Sequence, residues 1–244
     1  MIERDQFTNL PGSLLVAFSS KHDGTMLDRT GTIPQSDIRS RRERWCREVG
    51  IDYQHVVNQW VEYSSEATYD RLVTVGQRDA IQNREGVMAD ALYTRTRGVG
   101  LFLPVADCIA TIMYDERTQQ LALLHLGRHS TVSTLLQKTL LYFVEQGARV
   151  EDVAVWMTPS VQKQSYALQY FDESSSPDWS PYCEYRDGQW YIDMQGYNRA
   201  VCVRAGVLPS RITISAIDTA TNGGYFSHSQ GDTSGRIAVV AAMK

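Results

Sequence analysis

Between Pro104 and His129 the chain reads "PVADCIATIMYDERTQQLALLHLGRH", and this stretch holds the residue types best suited to chemistry. Cys108 opens one apolar run and His125 closes the next, with the polar "DERTQQ" between them. If the two runs pair antiparallel about a symmetric turn, Tyr114 faces Leu121 and Ala110 faces His125. Cys108 is then one diagonal step from His125 on the same sheet face. Sliding the register by a full pleat puts the two directly opposite, whereas a one-residue slip sends them to opposite faces. A thiol and an imidazole so placed suit a metal such as zinc, for which thiolate and neutral imidazole are preferred ligands. They equally suit a nucleophilic thiol activated by a base. A buried cysteine beside a hydrogen-bonded histidine, with no chemistry, is the third reading of the same pair.

The segment that follows, "HLGRHS", runs from the second strand straight into a helix. Unpaired N–H groups at a helix start favour an anion, and Gly127 lets a ligand approach the main chain. Gly127, Arg128 and Ser130 are therefore the expected contacts of a phosphate or carboxylate held beside Cys108 and His125.

The elements that must position these residues are mixed in kind. "SLLVAFSS" reads as a strand, and the loop after it, "KHDGTMLDRTGTIPQSD", is a candidate pocket rim. "DIRSRRERWCREVG" reads as a helix capped by Ser36 or Asp37 and stopped by Gly50. Its five arginines between Arg39 and Arg47 are interleaved with Glu43, which makes a solvated face rather than a nucleic-acid helix. "STVSTLLQKTLLYFVEQGA" is the clearest helix, with Val132, Leu135, Leu136, Leu140, Phe143 and Val144 as its apolar stripe and Ser130 or Thr131 as cap. The Ser- and Pro-rich segment from Ser174 to Asp187 reads as a long excursion or lid. "VEDVAVWMT", "RITISAI" and "GRIAVVAAM" are strands, and "WYIDMQGYNRAVCVRAGV" is a strand end and a helix. Strands and helices alternate too irregularly for a doubly wound sheet, so the expected class is α/β (α+β) with mixed β-sheets.

The 244 residues and 43% hydrophobic content support one domain over 1–244. A formal charge of -4 gives no reason to expect nucleic acid or an anionic membrane as partner, which leaves a small-molecule ligand. The N-terminus shows neither signal peptide nor spanning segment, so a cytoplasmic location is expected. Cys46, Cys108, Cys183 and Cys202 form no CxxC pair and read as free thiols, with Cys46 and Cys202 in helix cores and Cys183 at the surface. A multicopper oxidase centre takes on the order of ten clustered histidines. Five histidines in all exclude that chemistry.

Taken together, "ADALYT" (89–94), "GVGLFLPVADC" (98–108), "LALLHLGRHS", "TPSVQKQSYAL" (158–168), "YIDMQGYNRAVCVRAGV" and "GYFSHSQGDTSGRIAVVAAM" resemble, in order and spacing, the YfiH-type laccase-domain family, also called multicopper polyphenol oxidase-like. The resemblance implies a single α/β domain with mixed β-sheets layered between helices. It implies a zinc-dependent purine nucleoside phosphorylase, or an adenosine deaminase-like activity, on a nucleoside or similar small polar substrate. It also implies zinc ligands: Cys108, His125, and a histidine of a QVHG motif, whose place in "NQWVEY" is taken by Val61. Candidate replacements are His129, then His228, with His22 more distant.

Other departures fall in the same motifs. The family's paired cysteines become Gln164 and Ser165, the tryptophan and arginine of HAGWRG become Arg128 and His129, and the arginines of FSYRR give way to "FSHSQ". Lost arginines remove natural phosphate anchors. Three functions are therefore compared: a nucleoside-processing transferase or deaminase-type enzyme with an incomplete zinc site, a non-catalytic descendant (a pseudoenzyme) serving as a ligand-binding or interaction module, and a metal-free hydrolase in which His125 activates Cys108.

Overall fold

The computed structural model describes Phe7 and residues 9–82 and 86–244. The reading of residues 1–6 as free of a signal segment lies outside the described residues.

Along the chain come β1 (Leu14–Phe18), α1 (Gln35–Glu48), β2 (Val56–Trp60), β3 (Leu72–Thr74), α2 (Gln77–Gln82), β4 (Val87–Met88), β5 (Ala91–Thr94) and β6 (Gly100–Val105). The central hairpin is β7 (Ile109–Asp115) and β8 (Gln120–Leu126), followed by α3 (Arg128–Val132) and α4 (Leu135–Glu145). The last part holds β9 (Ala154–Met157), β10 (Ala167–Leu168), β11 (Cys183–Arg186), β12 (Gln189–Ile192), α5 (Met194–Arg204), β13 (Ile212–Ile214) and β14 (Ile237–Met243).

Two mixed sheets face one another. One has the order β1-β14-β6-β2-β4 and the other β13-β9-β7-β8-β5-β3, while β10-β12-β11 form a small separate sheet. Alternation along each strand decides which layer a side chain joins. Leu101, Leu103, Val239 and Ala241 of the first sheet meet Ile112, Tyr114, Leu121 and Leu123 of the second in a core between the sheets. Phe102, Ala238 and Val240 point the other way onto Trp45 and Cys46 of α1. On the far side, Met113, Ala122 and Leu124 pack under Leu136, Phe143 and Val201 of α4 and α5. The result is helix, sheet, sheet, helix, an α/β domain of mixed β-sheets layered between helices.

The hairpin adopts the symmetric register, with Tyr114 opposite Leu121 and Ala110 opposite His125. The pairing extends one step further, to Asp115 and Gln120. Asp115 closes the turn by accepting from the Arg117 N–H and the Thr118 hydroxyl. Since His125 follows Leu121 and Leu123 by even steps, it too points between the sheets, at the end of the interlayer core.

Several expectations need correction. The long helix is broken: Ser133 ends α3, and Thr134 has a left-handed φ of 61° before α4 begins. Leu135, Leu136, Leu140 and Phe143 are buried as expected, but Val132, before the break, and Val144, at the edge of the α4 stripe, are exposed. Neither Ser36 nor Asp37 caps α1; its N-cap is Pro34, with no side-chain bond. Gly50, at φ +91°, does end it, and Ile51 N–H reaches back to the Cys46 carbonyl. The 174–187 segment is packed rather than loose: buried Trp179 stacks on Tyr197 at 3.6 Å between ring centres, and its end forms β11. Arg42 leaves the solvated face of the other arginines: it shares the face of Ile38, Trp45 and Val49 and is buried with them, donating to the Met26 carbonyl and lying over Phe102.

Candidate functional site

Where β6 ends, Asp107 takes a left-handed φ of 68°, which turns the chain from one sheet into the next strand, β7, of the other. Its carboxylate holds that turn, accepting from Thr219 Oγ1 at 2.6 Å, Ser227 Oγ at 3.0 Å and the Ser229 N–H at 2.7 Å. Cys108 follows directly, two residues before Ala110 and so on the face of His125. The two side chains line one cavity of about 350 Å³. A Cβ placed on Gly127 would lie 3.1 Å from Cys108 Sγ and 3.3 Å from His125 Cε1, so the glycine leaves open the space that both groups border.

The cavity is walled by Val161, Tyr166 and Met194 on the apolar side and by Arg29, Tyr63 and Arg236 on the polar side. Tyr63 Oη lies 3.3 Å from His125 Nε2, its ring edge-on to the imidazole. The guanidinium of Arg29 sits 4.5 Å over the Tyr63 ring. Arg29 is presented by a loop wound around Asp28, which accepts from the Thr30 N–H and hydroxyl, the Thr32 hydroxyl and the Ile33 N–H. These bonds hold the Asp28 carboxyl well below the usual carboxylate range. Arg236, only 8% exposed, donates to the carbonyls of Gly235 and Asp232. The Asp232 carboxylate is drawn instead to Lys21 at 3.1 Å. Among the described residues neither Arg29 nor Arg236 has a carboxylate within ion-pair distance. Burial, and then the charge of Arg29, lower Arg236 from the usual guanidinium value.

Burial pushes the Cys108 thiol up to about 12 and His125 down to about 3, the nearby arginines adding to the latter. The pair therefore rests as neutral thiol and neutral imidazole, not as the thiolate–imidazolium couple of a thiol hydrolase. Tyr166 is also raised, to about 12, by burial first and by Cys108 second, while Tyr63 is half exposed.

Of the expected anion contacts, Gly127 and Arg128 line the cavity, and Ser130 does not. The Ser130 hydroxyl is buried, accepting from the Gly127 N–H and donating to the His125 carbonyl, so it braces the turn rather than a ligand. Of the candidate metal donors, His129 is turned away from the cavity, stacked 4.7 Å from the ring of Tyr69, while His228 is on the cavity wall. The loop after β1 does reach the cavity, through Arg29, while its "KHDG" turn does not line it. Gln164 and Ser165, at the place of the paired cysteines, both donate to Asp218 and tie down their loop.

Zinc with an open coordination position asks for three protein donors. Val61 is buried among the apolar residues between the sheets. Among the described residues no group of three or more His, Cys, Asp or Glu side chains is arranged to hold a metal ion. The donor set therefore does not fit the zinc site that the resemblance implies.

Tyr63, Arg29, Tyr166 and Arg236 were not singled out by sequence. Each carried a signal: "DRTGT" has the Asp-x-Thr pattern of a side-chain-closed turn, and Tyr63, Tyr166 and Arg236 fall within the family-like "NQWVEY", "TPSVQKQSYAL" and "GYFSHSQGDTSGRIAVVAAM".

This layered fold and the cavity at its sheet ends define a recognisable class. The family model for the multi-copper polyphenol oxidoreductase laccase matches residues 29–244, and the chain belongs to that family, the laccase-like YfiH family. It is similar to adenosine deaminase RL5 from an unknown prokaryotic organism, at 30% identity over 54% of this chain and 52% of the relative. It is also similar to a purine nucleoside phosphorylase of Deinococcus radiodurans, at 30% identity over 48% of this chain and 47% of the relative. The chain thus spans about half the length of these two relatives. The match to purine nucleoside phosphorylase ORF3 of Streptomyces griseus, at 24% identity, covers 98% of both. In fold it resembles YlmD of Geobacillus stearothermophilus, with a TM-score of 0.79 and 20% identity over 96% of this chain and 93% of that one. It likewise resembles YfiH of Bacillus licheniformis, with a TM-score of 0.78 and 17% identity over 95% and 93%. No helix among the described residues is long and apolar enough to cross a membrane.

Proposed function

We infer that the cavity bordered by Cys108 and His125 binds a purine nucleoside and cleaves its glycosidic bond with phosphate. The observation that carries this reading is the pair of arginines, Arg29 and Arg236, that face the cavity without a carboxylate partner. Two guanidinium groups left uncompensated at one cavity suit a tetrahedral oxyanion. The more apolar part of the lining, Val161, Tyr166 and Met194, suits the flat face of a purine. The names of the relatives, phosphorylase and deaminase, support a nucleoside as the ligand.

In the proposed reaction a phosphate oxygen bonds to C1′ as the bond from C1′ to the purine nitrogen breaks. The electron pair passes to the base, which takes up a proton. The phenol of Tyr63, 3.3 Å from His125 Nε2 and protonated at neutral pH like any tyrosine, is placed to supply that proton.

Purified protein is incubated with inosine or adenosine, with and without phosphate. Free base and ribose 1-phosphate that appear only with phosphate support phosphorolysis. Inosine from adenosine without phosphate makes it a deaminase, and saturable nucleoside binding with no product makes it a binding module.

A further inference from the structure

His125 Nδ1 is buried, with no hydrogen-bond partner among the described residues, and the catalytic roles above do not use it. A neutral imidazole carries one N–H and one bare nitrogen. Its other nitrogen, Nε2, meets Tyr63 Oη at 3.3 Å. If the phenol donated to Nε2, the ring proton would sit on Nδ1 as a buried donor without an acceptor, which is unfavourable. With the proton on Nε2, that N–H donates to the phenol oxygen, and only a bare lone pair is left at Nδ1. The second arrangement also frees the Tyr63 O–H to point into the cavity, which its ring borders.

We propose that Tyr63 has taken the place of a metal at His125: the Nε2–H of His125 donates to Tyr63 Oη, and the centre is a metal-free set of thiol, imidazole and phenol whose Tyr63 O–H is offered to the ligand. A metal at Nε2 would have to displace the phenol contact and drive the ring proton to Nδ1, which is enclosed by protein without an acceptor. Cys108 alone is not a zinc site. Tyr63 is itself held on two sides, by the Arg29 guanidinium over its face and by the Tyr69 ring at 6.3 Å. That support fixes the phenol against His125 without a metal to organise it. The inference concerns the state of the centre and does not depend on a nucleoside being the ligand.

The test uses the full chain without a histidine tag. Zinc affinity is measured by competition with a chromophoric chelator for the wild type, Tyr63→Phe and His125→Ala, and the His125 tautomer is read from long-range ¹H–¹⁵N correlations in the wild type. The expected result is a wild type that competes for zinc no better than His125→Ala, within about twofold, with the proton on Nε2. Stoichiometric zinc that resists the chelator in the wild type overturns the proposal, and loss of that zinc in Tyr63→Phe would make the phenol a ligand instead. A wild-type proton on Nδ1 overturns it as well, and that measurement stands even if Tyr63→Phe fails to fold. Nucleoside turnover or binding is assayed separately, so failure of the metal-free centre and failure of the nucleoside reading are told apart.

Discussion

Arg29 lies with its guanidinium 4.5 Å over the ring of Tyr63, whose hydroxyl is 3.3 Å from His125 Nε2. A cation from the loop after β1 is thereby stacked on the residue that touches the imidazole of β8. Arg29 is exposed and makes no ion pair among the described residues, so Arg29→Gln should leave stability within about 0.5 kcal/mol. It should lower kcat/KM for phosphate about tenfold, roughly 1.4 kcal/mol, while the KM for nucleoside stays within about twofold. Arg29→Lys should recover only part of the loss, since an ammonium cannot reproduce the planar stack. Steady-state kinetics with each substrate varied in turn decides this, and an unchanged phosphate dependence removes Arg29 from the site.

Asp28 acts on the site through Arg29. Asp28→Ala removes the acceptor of four hydrogen bonds that wind the loop, so its kinetic defect should match that of Arg29→Gln although Asp28 touches no ligand. Amide exchange at Thr30 and Ile33 should rise in the variant. The folded Asp28 carboxyl is held below its ordinary value. Its contribution to loop order is therefore present above the unfolded value of about 3.9 and is lost as pH falls through the folded value. The loop should stay closed at pH 5 and loosen only in strong acid, and opening already at pH 5 would contradict the assignment.

The hairpin register was legible because a symmetric turn about "DERTQQ" sets Tyr114 against Leu121, and the side-chain period of two then fixes which residues share a face; alternation gave no help, since both strands are buried on both faces. The layering came from the family resemblance. What the sequence did not disclose is the polar wall. Arg29, Tyr63 and Arg236 come from three separate places in the chain, and none belongs to a periodic pattern. Their meeting depends on how loops end against the two sheets. Ser130 was misassigned for a local reason: in "HLGRHS" a hydroxyl near a helix start can serve a ligand or the chain itself, and here it closes on the His125 carbonyl. The break at Thr134 was hidden because threonine carries no mark of a left-handed φ.

Gly127 has φ -93° and ψ -177°, which any residue adopts, so Gly127→Ala tests space and not backbone freedom. Its methyl would lie 3.1 Å from Cys108 Sγ and 3.3 Å from His125 Cε1, tighter than ordinary contact. The variant should fold with a loss of about 1 kcal/mol or less, yet bind or turn over its ligand about 10- to 100-fold less well, because the added group enters the space between thiol and imidazole. Thermal unfolding and ligand binding measured on the same sample separate the two effects. Equal loss of both would mean that Gly127 serves the fold alone.

His125 gives the fold a defined acid lability. Burial lowers it to about 3, while the unfolded chain titrates near 6.5. Below 6.5 the unfolded chain takes up a proton that the folded protein refuses, so the stability linked to this group is complete above 6.5 and declines as pH falls towards 3. The slope for one proton approaches roughly 1.4 kcal/mol per pH unit. Stability curves from denaturant unfolding between pH 7 and pH 4, in the presence of a chelator, should be shallower by about that slope in His125→Asn, which cannot titrate there. At pH 7.5 and above the two proteins should differ only by a constant offset. If the wild-type and variant curves run parallel from pH 7 to pH 4, His125 is not held neutral by its surroundings, and the neutral thiol and imidazole centre described above is wrong.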